Sequence, residues 1–134
     1  QVDDYLRRLP PPSRPPVFVH GDLIARHAFV ADGRLTGIID WGDAMVADPH
    51  YELAQLHRDL FDCDKSLLRV FLDAYGWRVG DDFPRRALGH ALIRQGVGAV
   101  RQTGIDVFRP IAARFPLNDI ATLDELANAL FDVE

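Results

Sequence analysis

Lysine is almost absent from this chain: Lys65 is the single lysine among fifteen basic residues. Acidic residues outnumber basic ones, and the formal net charge is -5. No basic stripe is available to collect phosphates, so no nucleic-acid partner is expected. Cysteine is reduced to Cys63. A lone thiol excludes an internal disulfide and fits a reducing, cytoplasmic compartment. Long apolar runs are missing. None approaches the roughly 20 residues of a membrane helix, and no membrane partner is expected. No basic segment leads into an apolar one near Gln1, so no signal peptide is legible. What is present is 134 residues, 48% hydrophobic and 26% charged. That is the size and balance of one ordinary domain with enough apolar content to bury a core. The first residue is Gln1 rather than Met, and the chain is expected to be a piece of something longer.

Residues 1–9 place Val2, Tyr5, Leu6 and Leu9 near helical spacing, which predicts a helix there. Five of the nine prolines then fall between Pro10 and Pro16. That stretch cannot be helix and lacks donors for a central strand, so it reads as a stiff connector. Residues 17–40 read as β. Val17-Phe18-Val19 is one short run, and two more flank Asp32-Gly33, a strong hairpin signal because both residues tolerate positive φ. Beyond residue 48 the chain reads as helices. Asp48-Pro49 opens the first as N-cap and N1, with Leu53, Leu56, Leu60 and Phe61 on one face. Asp64 caps a second helix and Gly76 ends it. A third is predicted from Pro84 to Gln102, where Gly89, Gly96 and Gly98 allow close packing. Thr122 and Glu125 form a capping box for the last.

Polar residues concentrate in HGDLIARHAFVADGRLTGIIDWGDAMVAD, which runs from His20 to Asp48 and holds His20, Asp22, His27, Asp40, Asp43 and Asp48. If Asp32-Gly33 is the turn, Ala31 pairs with Arg34 and His27 faces Ile38. Asp40 then lies on the same face of the ribbon as His27. Such diagonal neighbours are about 7–8 Å apart, a span that a cation bridges between imidazole and carboxylate. Asp22 precedes His27 in a loop returning to the same end of the hairpin. A carboxylate not bound to metal is suited to orient a hydroxyl and take its proton, and Mg²⁺ prefers few protein ligands with phosphate and water, a division of labour that phosphoryl transfer needs. Each residue also has a blander reading. Asp22 and Asp40 suit turns or caps, and His27 suits a satisfied structural histidine. Asp48 reads first as an N-cap, Asp43 as a loop or substrate contact, and Trp41 as core. His50, His57 and His90 show no ligand spacing with Cys63 and read as ordinary.

His20-Gly21-Asp22 with His27, followed by Gly37-Ile-Ile-Asp40-Trp41-Gly42-Asp43-Ala44, strongly resembles the aminoglycoside phosphotransferases and their relatives. The match covers about residues 18–54, with ADPHYELA resembling the family's Asp-Pro helix start. The resemblance implies a protein-kinase-like fold of α+β class, here a mainly helical C-terminal lobe with a catalytic-loop β-hairpin and a helical bundle. It implies Asp22 as catalytic base, Asp40 as Mg²⁺ ligand, and His20 as support beneath the loop, with Asp48 also in support. His27 stands where such kinases more often carry a metal-binding Asn. Aminoglycoside 2''-type and macrolide phosphotransferases also show His there, and an imidazole is a softer ligand than an amide oxygen.

A kinase-like enzyme needs a second lobe with a phosphate-covering loop and a strand lysine. No such glycine-rich loop is present, and Lys65 follows the metal segment. The expected organisation is therefore a C-terminal lobe alone. It has an incoming helix and connector over 1–16, the catalytic and metal segment over 17–48, and a helical substrate-side region over 49–134. The N-terminal lobe is a missing partner. The expected activity of the longer chain is transfer of a nucleotide γ-phosphate, from ATP or GTP, to a hydroxyl of a small molecule. An aminoglycoside-like antibiotic is favoured, and the acidic balance suits a polycation. The fragment alone is expected to be nearly inactive. Two other readings stand behind this one: a non-catalytic or degenerate kinase-like binding module, and a metal-dependent hydrolase built on Asp22, His27, Asp40 and Asp43.

Overall fold

The computed structural model describes residues 1–134 apart from 103 and 105. Helix α1 (Val2–Arg7) leads into the proline segment and then β1 (Val17–Val19). A loop with one 3-10 turn precedes the hairpin of β2 (Ala28–Ala31) and β3 (Arg34–Ile38). A second 3-10 turn, Trp41–Asp43, leads to β4 (Met45–Ala47). Helices α2 (His50–Gln55), α3 (Lys65–Tyr75), α4 (Phe83–Arg101), α5 (Phe108–Ala112) and α6 (Leu123–Phe131) follow. The architecture is α+β, with two small sheets against a helical bundle.

Most local signals act as the residues dictate. Asp64 accepts the Ser66 amide at the start of α3, and Gly76 closes the helix in the left-handed region. Thr122 accepts the Glu125 amide at 3.1 Å, and Glu125 reaches back to the Ala121 amide at 2.8 Å. Asp48 accepts the His50 amide at 2.9 Å, although helical geometry begins one residue later than predicted, at His50. The helix starting there is not one regular piece. From Leu56 to Leu60 it widens into a π turn, and the Phe61 amide bonds the Leu56 carbonyl.

The hairpin turn is as expected, with positive φ at Asp32 and Gly33 and Ala31 opposite Arg34. The register beyond it is not. Val30 pairs with Leu35, but Phe29 pairs with Gly37 and Ala28 with Ile38. Thr36 has no opposite number, and its hydroxyl turns to the Phe29 carbonyl at 3.1 Å. His27 therefore does not face Ile38. It lies in the 3-10 turn, and its carbonyl accepts the Ile39 amide.

The core joins α2, α4 and α6 through Leu53, Leu56, Leu88, Leu130 and Phe131, with Leu68, Leu72 and Phe83 beside them. The proline segment is fixed to this bundle. Arg86 Nη1 donates to the carbonyls of Pro10 and Pro11 at 3.2 and 2.7 Å. A Cβ on Gly89 would collide with Leu9, so this glycine lets the connector end pack against α4. Gly96 faces open space instead. Trp41 is not core. It is 47% exposed and stacks on Phe18 with ring centroids 5.9 Å apart.

Candidate active site

One face of α2 and its π turn holds the loop that carries Asp22. Glu52 accepts the His20 amide at 2.5 Å and the Gly21 amide at 3.3 Å. Gln55 donates to Asp22 Oδ1 at 2.7 Å. Asp59 accepts the Ala25 amide at 2.7 Å. Positions 52, 55 and 59 form a helical stripe, so three polar side chains grip one loop. Gln55 also accepts from Arg58 Nε at 2.5 Å, which fixes which end of its amide faces Asp22.

His20 braces the loop from inside. It is buried, and its Nδ1 accepts the Asp22 amide at 3.2 Å. Its Nε2 donates to the Ile39 carbonyl at 2.7 Å, so the ring is the neutral Nε2–H tautomer. Trp41 covers it with ring centroids 4.6 Å apart. His20 thus ties the Asp22 loop to the residue before Asp40.

His27 stands between the two carboxylates. Its Nδ1 lies 2.8 Å from the Asp22 backbone carbonyl and 3.7 Å from Asp22 Oδ2. A carbonyl only accepts, so Nδ1 carries a proton. Nε2 lies 3.3 Å from Asp40 Oδ2. At that separation the nitrogen, if unprotonated, and the carboxylate oxygen could serve as adjacent ligands of one cation. Asp40 is exposed, so most of such an ion's shell is open to water or phosphate, as Mg²⁺ prefers. Asp40 itself takes the left-handed region at φ 63°, which turns the chain sharply out of β3.

Asp43 faces arginines. Its carboxylate oxygens lie 4.0 Å from Arg94 and 3.7 Å from Arg101. The four residues of a closed hydrolytic metal cage are therefore not gathered. Among the described residues, the group of three or more whose ligand atoms come within 4.8 Å is Asp48, His50 and His90. Asp48 Oδ1 accepts from His50 Nδ1 at 2.6 Å, and His90 Nε2 lies 3.7 Å from Asp48 Oδ2. His50 and His90 stack. Burial works against the charged Asp48, but the His50 amide and ring hold its carboxyl below the usual range. Burial lowers His50 and His90 despite Asp48. This cluster pins the start of α2 to α4. Asp48 makes these contacts rather than contacts with Asp22.

Glu52, Gln55, Asp59 and Arg94 escaped the sequence reading. The first three carried a signal, a polar stripe at helical spacing directly after the Asp-Pro start. Arg94 carried only the oddity of a charge in line with Ala87, Ala91 and Gly98, all of them buried.

An α+β unit whose acidic loop rests on a helical bundle also occurs as part of a solved aminoglycoside phosphotransferase. The chain matches the apo form of a thermostable mutant of aminoglycoside phosphotransferase APH(4)-Ia, with a TM-score of 0.51. The match covers 96% of this chain and 39% of that one, at 24% identity. The chain belongs to the phosphotransferase enzyme family, whose model matches residues 1–88. It is 32% identical over 93 residues to aminoglycoside 3'-phosphotransferase of Escherichia coli, covering 69% of this chain and 34% of the relative. It is 30% identical over 115 residues to hygromycin-B 4-O-kinase of Escherichia coli, covering 65% and 34% respectively. The chain thus spans about a third of the length of these curated relatives. Among the described residues no helix is long and apolar enough to cross a membrane.

Proposed function

We propose that this chain is the C-terminal lobe of a small-molecule phosphotransferase of kinase-like fold. The complete protein moves the γ-phosphate of ATP or GTP to a hydroxyl of an aminoglycoside-like antibiotic. The observation that carries this reading is His27 standing between Asp22 and Asp40, at 3.7 and 3.3 Å. Asp22 is the base. Gln55 occupies Oδ1, which leaves Oδ2 to orient the acceptor hydroxyl and take its proton. His27 and Asp40 would hold Mg²⁺, which would supply neutralisation of the nucleotide phosphates. The names of the relatives support the antibiotic class of acceptor.

A second lobe is part of the proposal. The strand side presents Phe18, Val46, Val30 and Leu35, each more than 60% exposed, with Trp41 stacked on Phe18. Exposed apolar side chains beside a nucleotide site are what a covering lobe would bury. The described chain alone is then expected to show little turnover, because the phosphate clamp lies elsewhere.

Two substitutions in the complete protein test the assignment. Asp22→Ala is expected to lower kcat by roughly 10²–10⁴-fold while nucleotide affinity stays near wild type. Asp40→Ala is expected to weaken Mg²⁺-nucleotide binding itself, read by titration calorimetry. Wild-type rates in both variants would sink the site assignment.

A further inference from the structure

Arg94 is not used by the reading above, yet it lies within the site. It is 2% exposed, and its guanidinium rests 5.7 Å from the Tyr51 ring centroid. Its Nη2 is 3.9 Å from Asp22 Oδ1 and 4.0 Å from Asp43 Oδ2. Both distances exceed hydrogen-bond reach. Among the described residues its Nε and Nη2 have no hydrogen-bond partner. The charge is thus balanced by two carboxylates while two buried donors stay unpaired. A desolvated guanidinium donor is costly to leave in that state. An arginine serving only to neutralise these acids would close onto them with a planar fork. Here Gln55 already fills Asp22 Oδ1, and the donors are left for something else.

We propose that Arg94 is a further catalytic residue, donating its free N–H groups to oxygens of the phosphoryl group as that group passes to the hydroxyl held by Asp22. The proposal rests on the phosphotransferase reading. In the step, the acceptor oxygen bonds to phosphorus and its proton goes to Asp22. The bond from phosphorus to the β–γ bridging oxygen breaks, and the nucleoside diphosphate leaves with that electron pair. Charge spreads over the non-bridging oxygens of the transferring group. A buried, always-charged, planar donor pair next to the base is suited to those oxygens. A lysine would keep the charge and lose the fork. The same donors bind orthophosphate, the simplest oxyanion of that geometry.

The direct test needs no knowledge of the acceptor. In the complete protein, the Arg94 Nε–H resonance is followed by ¹⁵N NMR while inorganic phosphate is added with ADP. A saturable shift, matched to neither Arg58 nor Arg101, is expected; an unmoved Arg94 signal overturns the proposal. The kinetic test uses ATP, with water and then hygromycin B as acceptor, on Arg94→Lys, Arg94→Ala and Asp22→Asn. The expected result is a fall in kcat of about 100-fold or more in both Arg94 variants, at near-constant nucleotide Kd. Added guanidinium is expected to restore Arg94→Ala, which lost packing alone would not allow. Arg94→Lys within about threefold of wild type, with Asp22→Asn inactive, overturns the role of Arg94 and leaves the phosphotransferase reading standing. An active Asp22→Asn overturns that reading itself.

Discussion

At Gly21 the backbone has φ 84°, and a Cβ there would lie 2.4 Å from the Asp43 carbonyl oxygen. Both facts exclude other residues, one through the left-handed conformation and one through contact with a backbone that cannot swing aside. The Asp22 loop and the loop after Asp40 meet at this point. Gly21→Ala is expected to cost about 1–3 kcal/mol of stability through strain. It is also expected to lower turnover of the complete protein, because Asp22 shifts against its Gln55 support. Urea unfolding and initial rates, measured together, check both parts. An alanine variant with unchanged midpoint and rate would contradict the close approach.

The elements show what could be read in advance. Asp32-Gly33 announced its hairpin because two residues of positive φ are a local requirement. Asp64 and Thr122 announced helix starts through side-chain caps and Gly76 a helix end through positive φ, all of them local requirements. His20-Gly21-Asp22, His27 and Asp40 stood out as chemistry-bearing residues. Asp22, His27 and Asp40 do come together, but through the 3-10 turn that carries His27 rather than through strand register. The unpaired Thr36 shifts the pairing beyond Val30 by one, and nothing local to Thr36 marks it as a bulge. The π turn at Leu56–Leu60 was equally hidden, since its apolar residues keep helical spacing. Arg94 was invisible for a different reason: its place depends on contacts between α4 and a loop about seventy residues earlier.

Helix ends also offer a simple measurement at this scale. The α6 cap is a single hydroxyl on an exposed loop, so removing it touches little else. Thr122→Ala is expected to lose about 1 kcal/mol. Because α6 packs on α4 through Leu126 and Leu130, the loss is expected in the global transition, with an unchanged urea m-value. A variant matching wild type would show that the Glu125 reach to Ala121 suffices alone.

For the whole molecule, acid is the condition to which the bundle is most exposed. His57 is 2% exposed and donates from Nε2 to the Leu130 carbonyl at 2.8 Å, joining the π turn to α6. Its Nδ1 has no partner among the described residues. Burial pushes its pKa from 6.5 down to about 4, against the pull of the Leu130 bond. His50 and His90 are lowered by burial as well. The unfolded chain takes up the His57 proton below about pH 6.5, whereas the folded chain takes it up only near pH 4. Stability is therefore full above the upper value and drains as pH falls through that window. By pH 5, His57 alone accounts for a loss of about 2 kcal/mol. His57→Gln is expected to be weaker at pH 7 but to lose less between pH 7 and pH 5. Equal losses in both proteins would exclude His57 as the source.

Each of the two sheets has only two strands, β1 with β4 and β2 with β3. Two-stranded sheets keep open edges, and these edges sit beside Phe18, Val46, Val30 and Leu35. An uncovered edge with an apolar face is a template for another copy of itself. The colloidal behaviour of the separated chain follows from this. Like-charge repulsion from a net charge of -5 keeps copies apart in dilute buffer, and added salt screens it. Light scattering should therefore rise with both protein and salt concentration. A charge placed on that face, such as Val46→Lys, should hold the chain in solution.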